Sequence, residues 1–480
     1  MRAQSIKINY ILNTAYQVLT LITPLITAPY ISRVLGADGV GIYSYTTSVV
    51  AFFTMFAVLG TTTYGQRAIA QCRDDRQKLS KCFWEIEVLS IISTLICVAV
   101  WIGFIIINSD NKIYYLILTI DLAAVALDIV WFFSGLEQFR FIVFRNAAIK
   151  ILSIICLFVF VRERSHVWIY LIILSLGKFL GNASMWLPLK KFVDRVPVST
   201  LSILPHFKET LAYFIPTAAA SIYTYLDKVM IGAFTETSVE NGYYEQAQKI
   251  IKMAYTVLVS LNTVMSARMS YLFAQNRESE IREKLEQALA FIVTLGMPLV
   301  FGICGIAYNF VPWFFGDEFQ KVAILMILCS PLVLIMSIHN FLSAQYLVPS
   351  GQRVRSTKGV VTGAVVNLIL NSLLIPRFQS VGAVVATLVA ETSICVVYFY
   401  MSREYVSVRL LLRYVPKTLL SAAVMLICVL FIGKSHAGSI LITVAQIAVG
   451  GAVYFSLLCL LRDKFTFSLI SQVKKKIRRD

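Results

Sequence analysis

Apolar runs of roughly 20 residues, the length a helix needs to cross a bilayer, follow one another along nearly the whole chain. Fourteen are legible, at 8–31, 41–63, 83–107, 113–133, 142–161, 167–188, 210–234, 242–267, 288–311, 321–348, 357–375, 380–401, 415–433 and 438–461. Backbone groups inside hydrocarbon must bond within their own segment, which makes each run a helix. The connections between runs are too short to hold a soluble domain. Only 14% of the residues are charged, against about 25% in an ordinary soluble domain. The expected fold is an all-α polytopic membrane protein of about 14 transmembrane helices.

A net charge of +17 would by itself fit nucleic acid. Its distribution argues against that. With the N-terminus in the cytoplasm and sides alternating at each run, the cytoplasmic segments and the run ends beside them hold 31 Lys and Arg, and the outer ones hold 7. Five more (Lys150, Lys178, Lys228, Lys249 and Lys252) lie deep within runs. Such a bias over short loops is the positive-inside rule. It puts both termini in the cytoplasm and requires an even number of crossings. The first run has no small-residue cleavage site after it and reads as retained.

The nine cysteines are scattered, mostly inside runs, and imply neither a disulfide framework nor a zinc site. Gly433-Lys434-Ser435 resembles the end of a phosphate-binding loop, but Cys428 stands where its first glycine belongs. Gly177-Lys178 is followed by Phe179. No ATP site, metal or other cofactor is expected. Membrane-embedded glycosyltransferases and polymerases are expected to carry a large outer loop, which this chain lacks, so it is not expected to be an enzyme.

The chain repeats itself at an offset of 201 residues. Gly41-Ile42-Tyr43 recurs as Gly242-Tyr243-Tyr244, Arg67 as Arg268 and Arg76 as Arg277. Two related helical halves commonly hold a substrate site between them. The expected organisation is an N-terminal six-helix bundle over 1–190, a cytoplasmic linker over 191–208, a second six-helix bundle over 209–403, two additional helices over 404–461 and a basic tail over 462–480. In that tail Leu469, Val473 and Ile477 recur every four residues among lysines and arginines, the pattern either of a helix lying on the anionic inner leaflet or of a solvated basic tail.

The first run of each half carries a polar stripe. In run 1 it is Asn9, Asn13, Gln17, Thr20, Pro24 and Thr27; in run 7 it is Thr210, Tyr213, Thr217, Ser221, Thr224 and Lys228. Steps of three and four put each set on one helical face. Each run has a proline, Pro24 or Pro216, where a backbone hydrogen bond is missing and a bend is allowed. Polar faces in lipid either pack on other helices or line water. The matched placement favours a cavity lined by Asn9, Asn13, Gln17, Thr20, Thr217, Ser221 and Thr224.

Run 8 adds Glu245, Lys249 and Lys252 on one face. An intramembrane charge is a functional candidate by default. Arg33, Lys228, Lys249 and Lys252 are accordingly the candidates for binding an anion, against the plainer reading of charge compensation by Glu245 and Asp227. Ser48 and Ala51 occupy the positions equivalent to Lys249 and Lys252, so the second half is expected to do most of the anion binding. Asp128 and Lys150 are equidistant from Phe139 and are expected to form a structural ion pair across the hairpin of runs 4 and 5. Lys178, Glu391 and Asp121 are the ion-coupling candidates.

Pro29-Tyr30-Ile31-Ser32-Arg33-Val34-Leu35-Gly36-Ala37-Asp38-Gly39-Val40-Gly41, Gly65-Gln66-Arg67-Ala68-Ile69-Ala70, the segment from Asp128 to Phe139 followed by Arg145-Asn146, and Leu226-Asp227-Lys228-Val229-Met230-Ile231-Gly232 together resemble the bacterial polysaccharide (O-antigen, capsule or exopolysaccharide) repeat-unit flippases. That family lies in the multidrug/oligosaccharidyl-lipid/polysaccharide exporter superfamily. The resemblance runs through the first twelve runs. It implies two pseudo-symmetric six-helix bundles around a partly cationic cavity, plus two C-terminal helices. It also implies an undecaprenyl-pyrophosphate-linked oligosaccharide as substrate, so that Asn9, Asn13, Gln17, Thr20, Thr217, Ser221 and Thr224 would bind its sugars and Arg33, Lys228, Lys249 and Lys252 its pyrophosphate. Alternating access, proton or sodium coupling, a place in the bacterial cytoplasmic membrane, and pathway neighbours such as a polymerase and glycosyltransferases are implied with it. A lipid II flippase or multidrug extruder of the same fold, and a membrane-embedded polysaccharide-assembly enzyme, are the alternatives. A cation extruder needs an acidic cavity, and these stripes carry more Lys than Asp or Glu.

Overall fold

The computed structural model describes residues 6–108, 110–434, 438–463 and 465–467, with the side chains of 6–15, 216, 219–220, 223 and 261–264 outside that description. The stripe positions Asn9 and Asn13, the run 7 proline Pro216 and the tail residues Leu469, Val473 and Ile477 therefore lie outside the described side chains.

Among the described residues there are helices and no strand. In chain order they are α1 (Ile6–Val58), α2 (Thr61–Cys72), α3 (Arg76–Ile107), α4 (Lys112–Ala123), α5 (Val130–Gly135), α6 (Phe139–Phe160), α7 (Val167–Ser184), α8 (Ile203–Phe234), α9 (Val239–Ala274), α10 (Glu278–Phe315), α11 (Gln320–Phe341), α12 (Arg353–Ser402), α13 (Val408–Lys434) and α14 (Ile440–Leu460). Ten helical stretches are long and apolar enough to cross a membrane, or eleven if the bent pair Val239–Ser260 and Met265–Ala274 is one crossing.

Two of these stretches exceed any single crossing. Tyr16–Cys72 has 57 residues and Arg353–Ser402 has 50, so at 1.5 Å per residue they would run to roughly 85 and 75 Å against a hydrocarbon core of about 30 Å. Each contains a non-helical residue, Gly36 (φ 69, ψ 179) or Gln379 (φ 53, ψ −131). The positive φ is natural for the first and costly for the second.

The chain divides by compactness into two units, 1–242 and 243–480. In the first, α8 packs on α1, α2 and α3, so compactness keeps 203–234 with the first unit. Its core is aromatic. Phe83 stacks on Trp131 at 5.6 Å between centroids and meets Phe132 edge-on at 5.0 Å. Gly65 makes room for this layer, since a β-carbon there would lie 2.5 Å from Trp131. Asp75 starts α3 by accepting the backbone N–H groups of Gln77 and Lys78 at 3.0 and 3.1 Å, which satisfies two of its open donors. In the second unit α10 packs on α11, α13 and α14, and α13 packs on α14. The core they share with α12 includes Leu289, Val293, Phe341, Tyr398 and Tyr454.

The 201-residue echo has a structural counterpart inside the first unit. A β-carbon on Gly41 would lie 1.7 Å from the Ser238 carbonyl oxygen, and one on Gly242 would lie 2.1 Å from that of Ala37. Positions 37 and 238 are themselves 201 apart, so the contact is reciprocal. The repeated glycines are where two backbones cross with no room for a side chain.

Run 4 differs from the continuous helix the sequence implies. α4 ends at Ala123, a 3-10 turn covers Ala124–Leu127, Asp128 is extended, and α5 begins at Val130. No glycine or proline causes this break. α7 and the turn after it brace the break: Asn182 Nδ2 donates to the Ala124 carbonyl at 2.8 Å, and Trp186 Nε1 donates at 3.0 Å to that of Leu127, which also accepts the Ile129 N–H at 3.1 Å.

Candidate functional site

The first unit holds a pocket of about 250 Å³ lined by Tyr16, Arg145, Asn146, Lys150, Lys178 and Asn182, with Gly177 and Gly181 in its wall. Helical spacing explains how it forms. Residues 145, 146, 149 and 150 share one face of α6, and 177, 178, 181 and 182 share one face of α7. α6 and α7 pack together. The two glycines let them approach, since β-carbons there would stand 2.9 Å from Ser153 Oγ and 3.4 Å from Ile149.

The polar groups are held in place. The Arg145 guanidinium donates to Asn146 Oδ1 from Nε at 3.0 Å and Nη2 at 2.5 Å, and to Asn182 Oδ1 from Nη1 at 3.0 Å. Lys178 Nζ donates to Asp121 Oδ2 of α4 at 3.0 Å. Lys150 makes no salt bridge among the described residues. Three cations thus meet a single salt-bridged carboxylate. In a region of low polarity such an excess favours an anion with several oxygen acceptors, and a guanidinium fork suits phosphate geometry.

The ion-coupling candidates Lys178 and Asp121 are therefore brought together as a pair. The expected pair of Asp128 and Lys150 is not: among the described residues no salt bridge joins them. Asp128 Oδ1 accepts the Val130 N–H at 3.1 Å, and its charge acts on Arg145. Equal distance from Phe139 sets depth only along an unbroken helix, and the break at Asp128 removes that condition.

Arg33 is exposed on α1, while Lys228 is half-buried on α8, its carbonyl accepting Asn241 Nδ2 at 2.9 Å. In the second unit, Lys249 Nζ lies 3.4 Å from Glu245 Oε1, one turn back on α9. Lys252 is exposed and its carbonyl accepts from Thr256 Oγ1 at 2.7 Å. Glu391 is buried on α12, and its Oε2 lies 2.5 Å from His339 Nε2 on α11. Of the sugar-binding candidates, Gln17, Thr20, Thr217 and Thr224 are exposed and Ser221 is half-buried. Thr20 and Thr217 donate to the carbonyls of Tyr16 and Tyr213, each at 2.9 Å. Their proton is used locally, and the oxygen still accepts.

Sequence reasoning did not single out Arg145, Asn146, Asn182 or His339 as site residues. The signal was present for the first three, as polar residues on the same faces as Lys150 and Lys178. Nothing along the chain pairs His339 with a residue 52 positions away.

The comparisons with known proteins point one way. A family model described as polysaccharide biosynthesis protein matches residues 6–273. A Shigella dysenteriae protein named as an O-antigen transporter is 23% identical over 375 residues, which is 77% of this chain and 93% of that one. Among solved structures, the lipid II flippase MurJ in its inward closed conformation matches with a TM-score of 0.76 at 14% identity, covering 94% of this chain and 99% of that one. An inward-facing multidrug resistance transporter of the MATE family matches with a TM-score of 0.66 at 14% identity, covering 80% and 94%. At these identities the structural matches establish the fold.

Proposed function

The chain belongs to the polysaccharide biosynthesis protein family, and from that premise we propose that it is a flippase. It turns polyprenyl-pyrophosphate-linked oligosaccharide from the inner to the outer leaflet of the bacterial cytoplasmic membrane by alternating access. The observation that carries this reading is the excess of fixed cationic charge around the first unit's pocket, inside stretches long and apolar enough to cross a membrane. Arg145 and Lys150 hold the pyrophosphate, with Lys178 screened by Asp121. Arg33, Lys228, Lys249 and Lys252 are further cationic contacts. Gln17, Thr20, Thr217, Ser221 and Thr224, with Asn9 and Asn13, take the sugar hydroxyls. Each substrate charge moving outward across an inside-negative membrane contributes about 2.3 kcal/mol per 100 mV. A proton or sodium ion completes the cycle, with Glu391 and the Asp121–Lys178 pair as sites. A polymerase and glycosyltransferases are the pathway partners.

Fourteen crossings follow if the breaks at Gly36 and Gln379 each divide a long stretch in two, the bent pair in α9 is one crossing and α8 is another. That even number agrees with cytoplasmic termini. Bundles over 1–190 and 209–403 with two added helices over 404–461 rest on the 201-residue repeat, whereas compactness keeps 203–234 with residues 1–242.

The test is flipping of a polyprenyl-pyrophosphate-linked oligosaccharide in proteoliposomes. Joint replacement of Arg145 and Lys150 by Gln is expected to abolish it while leaving the protein folded. Undiminished flipping would overturn the pocket as the substrate site. The fold likeness to a lipid II flippase supports one other reading, and running lipid II beside the oligosaccharide donor separates the two.

A further inference from the structure

By the 201-residue repeat α8 is the first helix of the second half, yet compactness keeps it with the first unit. The segment leading into it shows one thing that holds it there. Between α7 and α8 there is no α-helix, only turns and two 3-10 segments, Leu189–Lys191 and Val198–Thr200. Backbone groups in such a segment need partners from elsewhere, and α3 supplies several. Arg76, Ser80 and Trp84 stand one turn apart on one face of α3. All three grip Asp194. Arg76 donates to its carboxylate from Nε and Nη2, each at 2.7 Å, Ser80 Oγ accepts its N–H at 3.0 Å, and Trp84 Nε1 donates to its carbonyl at 3.0 Å. Just upstream, Leu189 and Val193 are buried in the aromatic core.

The second fastening is at the entry to α8. Glu85, buried on α3, accepts the Ser202 N–H on Oε1 at 2.7 Å, and its Oε2 lies 2.9 Å from His206 Nε2. His206 Nδ1 lies 2.7 Å from the Tyr64 hydroxyl on α2. A ring with its hydrogen on Nε2 donates to Glu85 and accepts from Tyr64, so both nitrogens are used. One carboxylate thus holds a backbone group and a side chain at the start of α8. Around it Lys81, Ser202 and Lys208 are exposed, so water can take over each bond when it opens. A hydrogen bond exchanged for water costs little net free energy, whereas an apolar core separates at a cost proportional to its area. The end at Leu189 and Val193 is therefore the fixed one, and the end at Glu85 the releasable one.

We propose that residues 194–206 are a strap with Glu85 as its clasp, holding α8 on the first unit in this state and letting it go in another. On opening, Ser202, His206 and Tyr64 pass to water while Leu189 and Val193 stay in the core. From Asp194 to Ser202 the extended chain spans at most about 28 Å, so the strap limits how far α8 travels. Switching between two discrete packings is the usual form of such a change. The clasp itself stands on the bonds to Glu85. That its opening is a step of transport rests on the flippase reading.

Two measurements on the full-length protein test this. In nanodiscs, spin labels at the exposed positions Gln77 and Leu204, with the native cysteines replaced, report the distance from α3 to the start of α8. Glu85→Ala should raise a longer-distance population about threefold or more over wild type, and Glu85→Gln, which keeps an acceptor for Ser202, should restore the short distance. Unchanged distances in Glu85→Ala would overturn the clasp. Should the labelled protein not fold, amide hydrogen exchange over 194–210 in unlabelled Glu85→Ala carries the comparison, about tenfold faster exchange being expected and unchanged exchange overturning the clasp. Should Glu85→Ala not fold, Tyr64→Phe removes one bond of the clasp and is expected to move the same readout in the same direction by less; no movement would overturn it. In proteoliposomes, the double variant Glu85→Cys/Ser202→Cys is bridged by a reducible bis-methanethiosulfonate reagent, and flipping of a polyprenyl-pyrophosphate-linked oligosaccharide is followed. Bridging should cut the rate about tenfold or more, and reductant should restore it. Full-speed flipping while bridged would overturn release of α8 as a step of transport. No flipping by the wild type would overturn the flippase reading instead, and the distances would then decide the clasp by themselves.

Discussion

The two units treat their intramembrane charges differently. In the second, two carboxylates have a close nitrogen partner: Glu245 has Lys249 at 3.4 Å and Glu391 has His339 at 2.5 Å. In the first, Lys178 is paired with Asp121 at 3.0 Å, but the pocket on α6 and α7 keeps Arg145 on neutral amides and gives Lys150 no salt bridge among the described residues. A paired charge is partly silenced, because its field is cancelled nearby and a ligand must displace the partner. A charge held by amides keeps its field. The first unit is thus the better placed to attract an anion, whereas the asymmetry of Lys249 and Lys252 against Ser48 and Ala51 favours the second.

The largest expected effect decides between these. Replacing Arg145 and Lys150 together by Gln removes two charged donors at about 2 kcal/mol each, so pyrophosphate affinity should fall nearly a thousandfold, at about 1.4 kcal/mol per tenfold. Replacing Lys249 and Lys252 together should cost no more than about tenfold, because Lys249 is already engaged. Isothermal titration with both double variants checks this, and the reverse order would break the comparison.

Next in size is the second unit's buried pair. Glu391→Gln deprives the His339 ring of its buried carboxylate neighbour and should lower stability by about 2 kcal/mol. Asp121→Asn, whose partner Lys178 is 41% exposed, should cost less than about 1 kcal/mol. Thermal unfolding in one detergent measures both, and equal losses would erase the distinction between a closed and an open pair.

Asn182→Ala should cost about 2 kcal/mol by leaving the Ala124 carbonyl and the Arg145 fork each one partner short. It should also weaken pyrophosphate binding, although residue 182 contributes no charge. Unchanged affinity would mean that Arg145 needs no positioning.

The smallest effect calibrates the others. Asp194, outside the apolar stretches, accepts from Arg76 Nε and Nη2 at 2.7 Å each. Those bonds hold its carboxyl below the usual Asp value of 3.8. The pair's contribution is therefore full above that value and is lost as pH falls through the lowered one. Asp194→Asn should shift the melting temperature only slightly at pH 7, and the difference from wild type should vanish in acid below that value. A larger shift than for Asp121→Asn would show that solvated pairs matter more here than the intramembrane ones.

Much of the fold is legible along the chain, because lipid permits so few solutions. The long apolar stretches, the all-helical backbone among the described residues and the special status of Gly41 and Gly242 all follow from local pattern. The site is legible only in part. Lys150 and Lys178 stand out as charges within apolar runs, and Arg145 shares the face of Lys150, yet the sequence does not say that α6 and α7 turn those faces toward one another. Equal spacing from Phe139 matches Asp128 to Lys150, and that match fails where the helix breaks without glycine or proline. Glu85 lies in a run with other polar residues and carries no mark of its bond to His206, far along the chain.

What the sequence determined by itself is the kind of solvent this protein lives in and the element that solvent permits, since hydrophobic length and backbone hydrogen bonding are local quantities. What only the tertiary structure decided is which charges are cancelled and which are left acting. That depends on whether an amide, a carboxylate or nothing lies within about 3 Å of a side chain, and neighbours at that distance come from helices far apart in the chain.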